Sequence, residues 1–245
     1  MKYIRYMISS YLRVDLRTLG IFRFVFGLVC FIDIYRRFQY IEIFYSDTGL
    51  TPLSLTSGTS FSLLSALKFG SVEAVTIFFY IALLFSFFFM VGYKTKFSQV
   101  IMVITLLSIH NRLIIVENGG DFVVNAFLVW SLFLPLGKRL SVDRLFYTLR
   151  YFKDSTPSSL NSGSPLISDE PKDYWGLAYP ACILQLSIIY FFNFVNKSSG
   201  TWQDGSSLYY FYKLDVFLTP LGNFIKEFSL MPMWLSKILT SITLH

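Results

Sequence analysis

Asn193, Asn196 and Lys197 end a long apolar run within the stretch YFFNFVNKSSGTWQDG, Tyr190–Gly205. At spacings of three and four, these side chains share one face of a helix. Gln185, eight residues before Asn193, falls on roughly the same side. A polar stripe on a membrane helix is expected to face a bundle or a cavity rather than lipid. Desolvation there disfavours a charged ammonium, and a lysine that sheds its proton becomes a candidate general base. The same lysine is equally readable as a helix-end anchor whose ammonium reaches the headgroups. Trp202 and Asp204 follow in the same stretch and join it as candidate binding residues.

A second polar segment, Asn118-Gly119-Gly120-Asp121, opens another apolar run. The glycines permit left-handed backbone or very close approach. Asp121 can cap the helix that follows, or the exposed amides can bind an anionic group. His110 ends the run before it and is read as an interfacial residue with a satisfied hydrogen bond. Arg23 and Asp33 lie inside the first apolar run, where a charge is costly unless it is paired or wet. Ten residues separate them, about 15 Å along a helix, so they do not pair with each other. Asp33 is expected near an interface. Arg23 is expected either to meet a carbonyl or headgroup or to serve as a buried structural partner for acids on other helices.

The elements that must hold these residues are apolar. Of 245 residues, 54% are hydrophobic and only 15% charged, against about a quarter charged in a soluble domain. Five runs approach the roughly 20 apolar residues needed to cross a bilayer: Leu16–Tyr35, Val72–Gly92, Phe97–Ile115, Phe122–Leu136 (short) and Tyr174–Asn196. The fold expected is an all-α integral-membrane bundle of about five transmembrane helices plus interfacial amphipathic helices. One domain is expected over 1–245, with a Ser-, Pro- and Asp-rich flexible cytoplasmic linker at 152–173. The segment Thr201–Gly222 reads as an amphipathic helix on the outer surface. Residues 232–244 are too short to span and predict a half-buried helix or a chain cut short.

Positive residues favour the cytoplasm. Placing the loops alternately puts twelve Lys and Arg on the side of the N-terminus and six on the other, so a cytoplasmic N-terminus is predicted. Tyr45–Gly49, Asn111–Asp121 and Lys197–Gly205 then collect at the outer face. The net charge of +6 resides in short loops, which argues against a nucleic-acid partner. Two cysteines without a CxxC pair, and two histidines, argue against a disulfide or a metal centre.

Three segments in order carry a resemblance. LGIFRFVFGLVCFIDIYRR (Leu19–Arg37), NGGDFVVNAFLVWSLFLPLGKRLSVDRLF (Asn118–Phe146) and YFFNFVNKSSGTWQDGSSLYYF (Tyr190–Phe211) resemble the membrane helices, polar turn, "SVD" pattern and lysine-bearing stretch of the vitamin K-dependent gamma-carboxylases. Their bacterial relatives, the horizontally transferred transmembrane domain family, include proteins of the sporulation-delaying protein B type. The resemblance implies a multi-pass protein of a bacterial inner membrane. It implies Lys197 as catalytic base with Asp121 as its partner, and Asn118, Gly119, Gly120, Asn193, Asn196, Trp202 and Asp204 around the substrate. It further implies a quinol (vitamin K- or menaquinol-like), O2 and CO2 as co-reactants in lyase chemistry of the carboxylase/epoxidase kind. A secreted peptide or protein is the implied substrate or partner, with no metal. Gly120 stands where the carboxylases have a functional histidine, a departure from the family pattern that bears on whether carboxylation itself takes place. The alternative is a non-catalytic membrane protein that aids maturation or export of a secreted peptide.

Overall fold

The computed structural model describes residues 12–52, 66–113, 118–154, 172–197, 200–207, 209–210 and 237–238. It is mostly helical and divides into two compact units, residues 1–184 and 185–245. Expectations for residues 1–11, for 155–171 of the linker, and for nearly all of 208–245 fall outside the described residues.

In the first unit, strand β1 (Arg13–Asp15) leads directly into helix α1 (Leu16–Phe38). The Asp15 carboxylate caps α1 by accepting from the Arg17 amide at 2.6 Å. A single π-helical turn, Ile41–Tyr45, follows. Helix α2 (Val72–Val91) starts on a Ser71 cap and stops at Gly92, whose φ of +77° closes the helix in the left-handed conformation that glycine adopts freely. Helices α3 (Thr95–Arg112), α4 (Gly119–Ser131) and α5 (Val142–Asp154) complete the bundle. Strand β2 (Asp173–Trp175) then pairs antiparallel with β1, Val14 opposite Tyr174, before helix α6 (Ala178–Asn196). The linker expected over 152–173 therefore gives way to helix at its start and to strand at its end.

Among the described residues three helices, α1, α2 and α6, are long and apolar enough to cross a membrane. Five were expected. The third run forms α3, but Thr95, Ser98, Gln99, Thr105, Ser108, His110 and Arg112 are buried on it, and these polar groups dilute its hydropathy. The fourth forms α4, only 13 residues long.

The helix order in the bundle follows the packing. α1 lies along α2, and α2 along α3. Small residues allow the first contact: a Cβ at Gly27 would stand 2.8 Å from the Met90 Cα. Buried polar bonds link α3 to α4, where the Gln99 amide donates to the Ser131 hydroxyl at 3.1 Å. Such bonds serve as glue where lipid offers no alternative partner. Outward, α1 shows Ile21, Phe24, Leu28 and Ile32, and α2 shows Ile77, Leu84 and Phe87, all exposed, which suits a hydrocarbon surround.

The start of α3 has no cap of its own, because Lys94 holds φ +43° and its side chain bonds nothing there. Asp143, from the "SVD" segment at the head of α5, supplies the cap from a distance. Its carboxylate accepts from the Lys94 and Thr95 amides and the Thr95 hydroxyl, each at 2.7 Å. Its own amide donates back to the Gly92 carbonyl at 3.0 Å. Asp143→Ala is expected to cost about 1–2 kcal/mol, the range for a lost N-cap, while Asp143→Asn retains most of it. Thermal unfolding of the detergent-solubilised protein checks this, and equal midpoints for Ala and wild type would refute it.

Candidate functional site: a buried acid–base cluster at the C-terminal end of α1

Asp33 and Arg37 sit one turn apart on α1, the i and i+4 spacing that lets side chains meet. The Arg37 Nε donates to both Asp33 oxygens at 3.1 and 3.0 Å. Its Nη2 donates to Asp121 Oδ1 of α4 at 2.9 Å, and its Nη1 reaches the Tyr45 hydroxyl at 3.5 Å. One guanidinium thus holds two carboxylates from two helices. Burial raises the pKa of the Tyr45 phenol, and the charge of Arg37 opposes that shift.

The His110 ring of α3, fully buried, closes the cluster from behind. Its Nε2 lies 3.0 Å from Asp33 Oδ2 and its Nδ1 lies 2.6 Å from Asn125 Oδ1 of α4. Both ring nitrogens face oxygen. A doubly protonated ring donates to both, whereas a neutral ring needs the Asn125 amide turned about. With a neutral imidazole the two carboxylates and one guanidinium carry a net −1; an imidazolium brings the cluster to zero. The arrangement has room for one proton without leaving an unpaired charge.

Asp121 serves twice. Asn118 caps α4, its Oδ1 accepting from the Gly120 and Asp121 amides at 2.7 and 3.3 Å. Asp121 Oδ2 accepts from the Asn118 amide at 3.0 Å, completing a capping box. The other Asp121 oxygen is left for Arg37. Gly119 and Gly120 lie in the first turn of α4 with no positive φ, and a Cβ at Gly119 would meet nothing within 4 Å. The left-handed backbone expected of this pair is absent, whereas the close approach is present at Gly120, where a Cβ would stand 2.9 Å from Asn118 Oδ1.

The cluster opens into a cavity of about 430 Å³ lined by Asp33, Arg36, Arg37, Tyr40, Phe44 and Tyr45, with Asn118 at its edge. Three aromatic rings thus share the lining with a carboxylate, two guanidinium groups and the amides of Gln39 and Asn118. A flat ring carrying a hydroxyl fits that lining in chemistry and in size. Asp33, His110 and Asp121 also bring three potential metal-ligand atoms within 4.8 Å of one another. The Arg37 guanidinium already bonds both carboxylates there, so a cation would have to displace it. The trio is built as an ion-pair cluster.

Of the remaining candidates, Arg23 belongs to the first unit and Asn193, Asn196, Lys197, Trp202 and Asp204 to the second. Arg23 is buried at the N-terminal end of α1, where Nη1 donates to the Leu136 carbonyl at 3.0 Å and Nη2 to the Leu140 carbonyl at 2.6 Å. Lys197 belongs to the second unit, with its Nζ 4.8 Å from the centroid of the Trp202 ring, a cation–π contact. Asn193 and Asn196 are exposed on α6. Asp204 Oδ1 accepts from the Ser206 amide and hydroxyl at 2.8 and 2.5 Å, and these bonds hold its carboxyl below the usual range.

Sequence reasoning missed Arg37, Tyr45 and Asn125, and it gave His110 only an ordinary interfacial role. The i, i+4 pairing of Asp33 with Arg37 was a readable signal; Tyr45 and Asn125 had none. No family model, curated protein or solved structure matches this chain.

Proposed function

We propose that this chain is a multi-pass protein of a cell membrane that carries out proton transfer on a small amphiphile bearing an aromatic ring. The reading rests on one observation: a carboxylate backed by a buried histidine and paired with an arginine lines a cavity together with the rings of Tyr40, Phe44 and Tyr45. In this reading Asp33 accepts a proton from a hydroxyl of the bound ring. The oxygen of that hydroxyl keeps the electron pair, and the new negative charge faces Arg37. The Asp33–His110 pair stores the proton, which takes the cluster from −1 to neutral. General acid–base groups of this kind must lie within hydrogen-bond reach of the proton they move.

A quinol is the substrate class we propose, in keeping with the resemblance to the carboxylase membrane domain. Lys197 and its neighbours remain proposed participants through that resemblance. The orientation with a cytoplasmic N-terminus, the five-span topology and the bacterial inner membrane belong to the same proposal.

The test is incubation of the purified protein with menaquinol and O2, with epoxide read by mass spectrometry. Wild type is expected to form epoxide and Asp33→Asn to form none, while Lys197→Ala separates a contribution of the second unit. Full product from Asp33→Asn removes this site from the chemistry. A second reading, a non-catalytic helper of peptide maturation, is favoured by Arg37 being fully engaged by Asp33 and Asp121, as in a structural staple. It predicts no turnover with any quinol.

A further inference from the structure

The opposite end of the first unit, where α2 turns into α3 and α4 gives way to α5, carries a different kind of site. A cavity of about 460 Å³ is lined by the apolar Phe133, Leu134, Pro135 and Leu136 together with Thr95, Lys96, Gln99 and Lys138. Gln99 is fully buried and Thr95 nearly so, while both lysines are exposed at the rim. The Lys96 Nζ donates to the Leu132 carbonyl and lies 3.4 Å from Gln99 Oε1, which holds it at the rim with a hydrogen to spare. Asp143, which also lines the cavity, is committed to the amides of Lys94 and Thr95. Its charge is therefore turned toward a helix start.

An independent feature of the same end points to the same ligand. α5 is strongly two-sided. Leu145, Phe146 and Leu149 lie on one face and remain exposed, with Lys153 on that face one turn beyond Leu149 and Arg150 flanking it, both exposed. A helix of this pattern lies in the plane of a bilayer surface and favours anionic lipid. Basic pockets between membrane helices take acidic headgroups for the same reason.

We propose that this cavity binds an acidic phospholipid, with the phosphate held between Lys96 and Lys138 and the upper acyl chain laid against Phe133, Leu134 and Leu136. The inference is separate from the proton-transfer reading, which concerns the other end of the helices. An apolar wall adjoining two cations selects an amphiphile with one negative charge, rather than a free anion or a zwitterion. In this proposal α5, whose Asp143 lines the cavity, sets it at headgroup depth.

The experiment uses the full chain in detergent and native mass spectrometry with phosphatidylglycerol, phosphatidylcholine or inorganic phosphate added. Wild type is expected to retain phosphatidylglycerol about tenfold better than phosphatidylcholine, on the strength of two surface cations. Lys96→Gln/Lys138→Gln is expected to bring the two lipids within about twofold, whereas Lys96→Arg/Lys138→Arg keeps the preference because the charge remains. Lys68→Gln, at the other end of the bundle, is expected to leave it unchanged. Equal retention of both lipids by wild type overturns the proposal, as does an unchanged preference in the double glutamine variant. Inorganic phosphate that displaces phosphatidylglycerol at equal concentration also overturns it, since that would assign the site to a free anion.

Discussion

Arg37→Met is expected to destabilise the protein by about 3–5 kcal/mol, the cost of removing one partner from a buried ion pair. Arg37 is the only positive group bonded to both Asp33 and Asp121 among the described residues. Without it two carboxylates from two helices face each other, and the Asp121 side chain is only 8% exposed. The loss is one of compensation rather than of attraction. The triple variant Arg37→Met, Asp33→Asn, Asp121→Asn should therefore recover most of the stability, because it removes the charges together. The Asn at 121 retains an oxygen to complete the cap of α4. Thermal unfolding in detergent, followed by monodispersity on gel filtration, measures both variants. A single variant that melts like wild type, or a triple variant worse than the single, would defeat the account.

Gly27→Leu is expected to have the second-largest effect, at or above the upper end of the roughly 1–3 kcal/mol that overpacking costs. A side chain at Gly27 runs into the backbone of α2, with the Met90 Cα at 2.8 Å and its amide nitrogen at 3.1 Å. Backbone cannot swing aside as a flexible side chain can, so α1 and α2 must separate and surrender contact along their length. Gly119→Ala provides the contrast. Its Cβ would enter open space, and an alanine costs less backbone entropy to order, so that variant is expected to gain up to about 1 kcal/mol. The two substitutions measured in one thermal series should move in opposite directions; a shift of the same sign would contradict the packing described.

The helical elements were largely legible, because an apolar run of twenty residues carries its own signal. α1, α2 and α6 coincide with such runs. α3 and α4 were harder to place as spans, and for a physical reason: α3 spends its inward face on Gln99, Ser108 and His110, whose partners are supplied by α1, α4, the segment at Ala66 and α3 itself rather than by water. Averaged hydropathy registers the polar atoms and not the bonds that satisfy them. The paired strands β1 and β2, three residues each, lie below what alternation can reveal.

The site was half legible. Asp33 and Asp121 drew attention as acids in apolar surroundings, yet Asp33 was weighed only against Arg23, ten residues away, and that pair was rejected, while its partner Arg37 stood one turn on. Contacts such as His110 with Asn125, or Arg37 with Tyr45, join residues 15 and 8 positions apart through the bundle and a π-helical turn. Their geometry exists only once the chain is folded. The "SVD" segment gave the opposite lesson. It stood out as part of a family pattern, and in the structure its aspartate serves as a remote cap for α3.

The small ribbon of β1 and β2 holds the stretch that leads into α1 beside the stretch that leads into α6: Arg13–Asp15 pairs with Asp173–Trp175. Under the proposed membrane reading this pairing acts as a parity rule, since two paired strands share one face of the bilayer and the proposed passages between them must then come in even number. α4 reaches along α1, with Asp121 at its last turns and the chain leaving α4 at Arg23 nearer its start.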